Sequence, residues 1–235
     1  MFCNLFSTQR LLAAAALACT FTGARAACLD NVVLVHGNSG SPSHWNETVD
    51  ELKSRGYHAS QLYLPNWGSK TNAGANGHGT TNTSAVKNSL IAAYNNSCTG
   101  KIDVIAHSMG VTLAMKALNE LGYAGGVDTF VSVAGTQHGL NSCGVYPWNV
   151  PSATCGADGL SIGSPLIESV RGRRYGDKMY SIKSWIDEIV CVGSCLVYGA
   201  HTSHVDLQDA SYDYWYGHFG LAVFTDSHQA SLIMQ

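Results

Sequence analysis

Lys101-Ile102-Asp103-Val104-Ile105-Ala106-His107-Ser108-Met109-Gly110 is the stretch on which the fold turns. A short apolar run ends at a serine, and an apolar helix pattern starts at once after it, from Met109 to about Leu121. A serine between a buried strand and a helix, with small residues two positions away on either side, is the pattern of a nucleophile elbow. The bend is so tight that side chains at those flanking positions would collide, and here they are Ala106 and Gly110. The plainer alternative is a serine that merely caps a helix. The buried strand before it and the apolar helix after it favour the elbow.

Outward from this point, strands and helices alternate. Asn31–Val35 is a continuous apolar run ending at His36-Gly37, the pattern of a strand buried on both faces. Ser41-Pro42 opens a helix with Trp45, Val49 and Leu52 on one side and Gly56 as its stop. Ala59–Leu64 reads as a strand, residues 66–84 as a long polar loop, and Ala85–Tyr94 as an amphipathic helix. Asp128–Ala134 reads as another strand, and residues 138–176 as an irregular stretch rich in Gly, Ser and Pro. Lys178–Lys183 and His204–Leu207 are further strand candidates, and a last helix contains Ala230, Leu232 and Ile233. This order predicts one α/β domain, a mostly parallel central sheet flanked by helices. In such sheets ligands bind beyond the carboxyl ends of the strands.

Residues 1–26 carry Arg10, an apolar run from Leu11 to Ala18 and the small-residue cleavage triplet Ala24-Arg25-Ala26. They read as a secretory signal peptide, leaving residues 27–235 as a single domain in a secreted or periplasmic protein. The whole chain has a net charge of −3, and the leader holds two of its arginines and no acid, so the mature part is more acidic. That excludes a basic surface for nucleic acid. Charged residues make up only 12% of the chain, roughly half the usual share, which suits adsorption to a lipid or polymer interface. Of eight cysteines, six lie beyond the leader, an even number that reads as disulfides in an exported chain. Cys191 and Cys195 are close in sequence, as are Cys143 and Cys155. Cys28 and Cys98 remain, each four residues ahead of an apolar run, and that bridge closes a long loop worth on the order of 4 kcal/mol by the chain-entropy model.

A His-Gly after the first long strand makes Asn38 a candidate oxyanion donor through its backbone N–H, with the Met109 N–H as the second. Losing one such donor costs roughly 10²–10³ in rate. An acid and then a histidine should follow Ser108 in chain order. Asp187 follows the Lys178–Lys183 strand, with the adjacent Glu188 as the alternative, whereas Asp177 precedes that strand and falls at the wrong end. Of the later histidines, His201 and His204 flank the start of the expected last strand and should point to its far end. His228 falls in the terminal helix. His218, in the glycine-flanked loop Tyr216-Gly217-His218-Phe219-Gly220, is the candidate base.

These motifs resemble the small bacterial lipases of the α/β-hydrolase fold, the compact Bacillus type. The resemblance runs through Val33-Leu34-Val35-His36-Gly37, Ala106-His107-Ser108-Met109-Gly110, Ser184-Trp185-Ile186-Asp187-Glu188 and Gly217-His218-Phe219-Gly220-Leu221. It implies an α/β-hydrolase fold, Ser108, Asp187 and His218 as catalytic residues, and Asn38 and Met109 as the oxyanion hole. The chain is also similar to extracellular poly(3-hydroxybutyrate) depolymerases related to those lipases, through His36-Gly37-Asn38, Ser142-Cys143, Thr154-Cys155-Gly156 and the Cys191/Cys195 pair. Together these imply a monomeric carboxylic ester hydrolase acting on a lipid, a short ester or a polyester, with no cofactor and no catalytic metal. An acyltransferase using the same residues, and a non-catalytic binding module on the same fold, are the rival classes. Trp67, Tyr146, Trp148, Ile162, Leu166 and Ile167 are candidates for an acyl pocket or for a minor core. Asp206, Asp209 and Asp213 match no calcium loop and read as a solvated face.

Overall fold

A computed structural model describes residues 28–235, so the leader read at residues 1–26 lies outside the described residues. The apolar run of the first strand, β1 (Asn31–Val35), is wholly buried, because helices cover it on both sides. Val33 and Val35 point to one face of the sheet, while Val32 and Leu34 point to the other. The same holds for β3 (Ile102–His107), where Val104 and Ala106 oppose Ile105. With β2 (Leu62–Tyr63), β4 (Val127–Val133), β7 (Lys178–Lys183) and β10 (Ala210–Asp213), these form a six-stranded sheet. Its order is β10-β7-β4-β3-β1-β2, and every pairing is parallel.

One face is covered by α2 (Thr80–Asn95) and α3 (Met109–Leu121), through Val86, Leu90, Leu113 and Leu118. The other is covered by α1 (Asn46–Ser54) and α6 (Asp226–Ile233), through Leu52, Leu232 and Ile233, with Trp45 just ahead of α1. Each such fully buried large side chain contributes about 1.5–3 kcal/mol by leaving water. No helix among the described residues is long and apolar enough to cross a membrane. Cys28–Cys98, Cys143–Cys155 and Cys191–Cys195 are joined as disulfides, the first tying the chain ahead of β1 to the chain ahead of β3.

Several boundaries differ from the sequence reading. Ala59–Leu64 is a single 3₁₀ turn (Ala59–Gln61) leading into the two-residue β2. The polar loop after it is shorter than expected, since α2 begins at Thr80. Residues 138–176 hold β5 (Leu140–Val145) paired with β6 (Ser161–Ile162), and a short α4 (Pro165–Val170) capped by Ser164. The last strand is β10 and not His204–Leu207, which forms turns. A two-residue hairpin, β8 (Leu196–Val197) with β9 (Ala200–His201), precedes those turns.

Candidate active site

Ser108 links β3 to α3 with φ 58° and ψ −131°, a backbone state that a non-glycine residue occupies only under constraint. The constraint is visible. The Ser108 N–H donates to Val133 O at 2.9 Å, and the next turn of chain presses against the end of β1. A Cβ on Gly110 would lie 2.3 Å from His36 O, so only glycine fits that flanking position. The bend lifts the Ser108 side chain beyond the sheet.

His218 does not sit in a free loop. It is the first residue of α5 (His218–Val223), a short helix that follows β10. Its Nε2 lies 2.9 Å from Ser108 Oγ, and its Nδ1 lies 2.8 Å from Asp187 Oδ2. A carboxylate can only accept, so Nδ1–H donates to Asp187, which leaves Nε2 to accept the serine proton. Asp187 is buried, and its other oxygen accepts the N–H groups of Ile189 and Val190, both at 2.9 Å. Burial works to raise its pKa, but the hydrogen bond and charge of His218 and the two amides outweigh it. The carboxyl therefore stays below its ordinary value.

Glu188, the alternative acid, is exposed and does something else. Its Oε2 accepts the backbone N–H of His218 at 2.9 Å. Gly217 makes room for it, because a Cβ there would lie 2.5 Å from Glu188 Oε2. His107, part of the elbow motif but assigned no role from sequence, donates from Nε2 to His218 O at 3.1 Å. Burial pushes the His107 pKa down to about 3, with the neighbouring His218 adding to the fall, so the ring is neutral.

The first strand delivers the other half of the site. His36 is fully buried, and its Nδ1 donates to Gly37 O at 2.7 Å while its Nε2 accepts the Trp67 N–H at 3.3 Å. Trp67 stacks on the His36 ring and donates its indole N–H to His36 O at 3.0 Å. Asn38 is held by Asn76, whose amide donates to Asn38 Oδ1 at 2.6 Å. Asn38 and Ser108 share the wall of one cavity of about 260 Å³ with His44, Ile189, His218 and Phe219. Met109, the other expected donor, is the first residue of α3 and is buried beside Ser108. A larger concavity of about 580 Å³ near the start of α2 is lined by small and polar residues and holds none of these catalytic candidates.

The cavity wall contains none of the six residues that are candidates for an acyl pocket or for a minor core. Trp67, Ile162, Leu166 and Ile167 are buried, while Trp148 is 85% exposed. His201 also departs from expectation. It is buried at the same end of the sheet as the acid, donating from Nε2 to Ser184 O at 3.1 Å and accepting the Ser203 N–H at 3.0 Å. His204 accepts from Gln208 at Nδ1, and His228 meets the Tyr214 hydroxyl at 2.7 Å. Asp209 and Asp213 pair with Arg174 and Lys183, and Asp206 lies near Arg171 and His138. Those three aspartates do not converge.

The family described as lipase (class 2) matches residues 30–220. No curated protein matches the sequence. Among solved structures, Aspergillus fumigatus lipase B superposes with a TM-score of 0.57 at 20% identity, over 83% of this chain and 49% of that one. The mature form of Bacillus licheniformis lipase BlEst2 gives 0.56 at 16% identity, over 88% of this chain and 93% of that one. A metagenome-derived lipolytic enzyme, from the pair LipS and LipT, gives 0.58 at 15% identity, over 88% and 95%. The chain spans about half the length of the Aspergillus protein and nearly all of the other two. At these identities the likeness is one of fold.

Proposed function

Because the chain belongs to the class 2 lipase family, we propose that it is a secreted serine esterase that hydrolyses carboxylic esters through Ser108, His218 and Asp187. The observation that carries this reading is the unbroken chain of hydrogen bonds from Asp187 through His218 to Ser108 Oγ, opening on a partly apolar cavity. Ser108 attacks the ester carbonyl while His218 Nε2 takes its proton. Asp187 holds the tautomer and stabilises the imidazolium. The N–H groups of Asn38 and Met109 bind the oxyanion more tightly than the ground-state carbonyl. His218 then protonates the leaving alcohol, and water repeats the cycle on the acyl-enzyme. This chemistry calls on no metal or cofactor. Three disulfides and the leader read at residues 1–26 support export to an oxidising compartment.

A fluorophosphonate probe attached to Ser108, mapped by peptide mass, tests the nucleophile and separates an enzyme from a binding module. Attachment elsewhere, or none, overturns the reading. Products formed with added alcohol separate hydrolase from acyltransferase.

An insoluble polyester is the second reading. Ile189 and Phe219, in the cavity wall, are 42% and 53% exposed. Trp185, Trp215 and Phe224, on the neighbouring segments, are also exposed. Such an apolar rim suits adsorption to a surface. Rates on short p-nitrophenyl esters, emulsified triglyceride and a polyester film, measured side by side, decide between the substrates.

A further inference from the structure

The second feature of interest lies at the opposite pole of the sheet. Asp30 immediately precedes β1, Asp103 is the second residue of β3, and Asp128 is the second residue of β4. These strands are parallel neighbours, so their amino ends gather the three carboxyl groups. One oxygen from each lies within 4.8 Å of the others. Asp103 stands about five residues of strand, roughly 16 Å, from Ser108.

The pairing of β3 with β4 slips here. Ile102 faces Val127, but Val104 faces Phe130, so β4 carries an extra residue. Asp103 Oδ1 fills the gap by accepting the Thr129 N–H at 3.1 Å. That accounts for one oxygen only. Asp103 is 1% exposed, and its Oδ2 is buried with no hydrogen-bond partner. A buried carboxylate oxygen without a partner is costly and calls for one. No protein donor nearby hydrogen-bonds that oxygen, the neighbouring Tyr57 phenol included. The Lys178 ammonium lies 3.4 Å from Asp128 Oδ2 and is shared with Gln235 O, and the Thr99 hydroxyl bonds Asp30.

We propose that Asp30, Asp103 and Asp128 form a structural site for a divalent hard cation, of which calcium fits best, clamping the amino ends of β1, β3 and β4. Oxygens about 2.4 Å from one ion lie up to about 5 Å apart, which this cluster satisfies. The donor set is all oxygen, which selects hard cations. Calcium tolerates an irregular shell completed by water, whereas magnesium demands a near-octahedral one. Three carboxylates face a single lysine, so a divalent ion brings the cluster to neutrality. Asp30 and Asp128 are half-buried, so the ion has a route in from solvent.

The test uses purified protein stripped with EDTA and exchanged into metal-free buffer at fixed ionic strength. Calcium chloride should raise the melting temperature saturably by several degrees, and magnesium less. Asp128→Asn and Asp103→Asn, each folded by circular dichroism, should lose the response. The asparagine at 103 retains an oxygen for the Thr129 N–H, and the half-buried position 128 keeps the test open if the first variant does not fold. Terbium should bind the parent with emission sensitised through tyrosine and displaced by calcium, and Tyr57 is the neighbouring phenol. No saturable shift in the parent, or equal shifts and equal terbium emission in both variants, overturns the site.

Discussion

The two ends of the central sheet treat buried charge in opposite ways. At the carboxyl end both oxygens of Asp187 are engaged, one by two backbone amides and the other by His218, whose far nitrogen meets Ser108. At the amino end Asp103 is equally buried yet has one oxygen without a partner and two acids for company. Burial works to raise both carboxyl pKa values; at Asp187 the pairing outweighs it, whereas at Asp103 burial prevails and the neighbouring acids add to the rise. Burial alone therefore does not decide a carboxylate's state. The partners brought by the fold do.

The sharpest way to break this contrast is at the engaged end. Ser108→Ala should lower kcat by about 10⁶ in p-nitrophenyl ester hydrolysis while leaving the melting temperature unchanged or higher, since the strained serine serves no packing role. Near-parental turnover would dissolve the comparison. Asp187→Asn should cost about 10⁴ in kcat with little change in KM, because an amide no longer fixes the His218 tautomer. Loss through KM alone would mean that the acid shapes the binding site and not the base.

Acid should attack the carboxyl end selectively. His36 and His107 are held neutral by burial, with values pushed from 6.5 down to about 4 and about 3. The unfolded chain binds protons there that the folded chain refuses, so stability falls as pH drops below about 6.5. Each histidine contributes up to about 1.4 kcal/mol per pH unit. The loss continues until the folded values are reached. Asp187, whose folded value is depressed, adds its own loss below about 3.8. Melting temperatures between pH 7 and pH 4 should fall steadily, and His107→Gln should flatten part of the slope. A profile level across that range would refute this.

Where burial is complete, the sequence announces it. The runs of β1 and β3, the flanking Ala106 and Gly110, and the apolar helix behind them can be read because a strand covered on both faces tolerates little else. The order of Ser108, Asp187 and His218 follows from the same topology. The edge strand β10 is not legible in the sequence because it is only half-buried. Ala-Ser-Tyr-Asp there lacks the apolar run that His204–Leu207 imitates. The expected direction of His201 fails with it, since that direction depends on a strand at His204–Leu207. The cavity wall escaped because Ile189 and Phe219 are defined by spatial convergence, as are Asp30, Asp103 and Asp128, and no local spacing records it.

The smallest expected effect tests how far pairing extends around the base. Glu188 touches neither Ser108 Oγ nor the imidazole ring nitrogens. It accepts the His218 backbone N–H at the start of α5, where the first amides of a helix have no partner within it. A hydrogen bond to a charged group contributes about 1.5–3 kcal/mol when buried and less at this exposed position. Glu188→Ala should therefore lower kcat by about tenfold, with KM held, and Glu188→Gln should restore most of it because the amide oxygen still accepts. Gly217→Ala supplies an independent handle. Its methyl would displace the Glu188 carboxylate and reproduce the alanine variant, and the Gly217→Ala/Glu188→Ala pair should be no slower than Glu188→Ala alone. Additive losses would mean that each residue supports His218 by a separate route, and the contact between them would carry no catalytic weight.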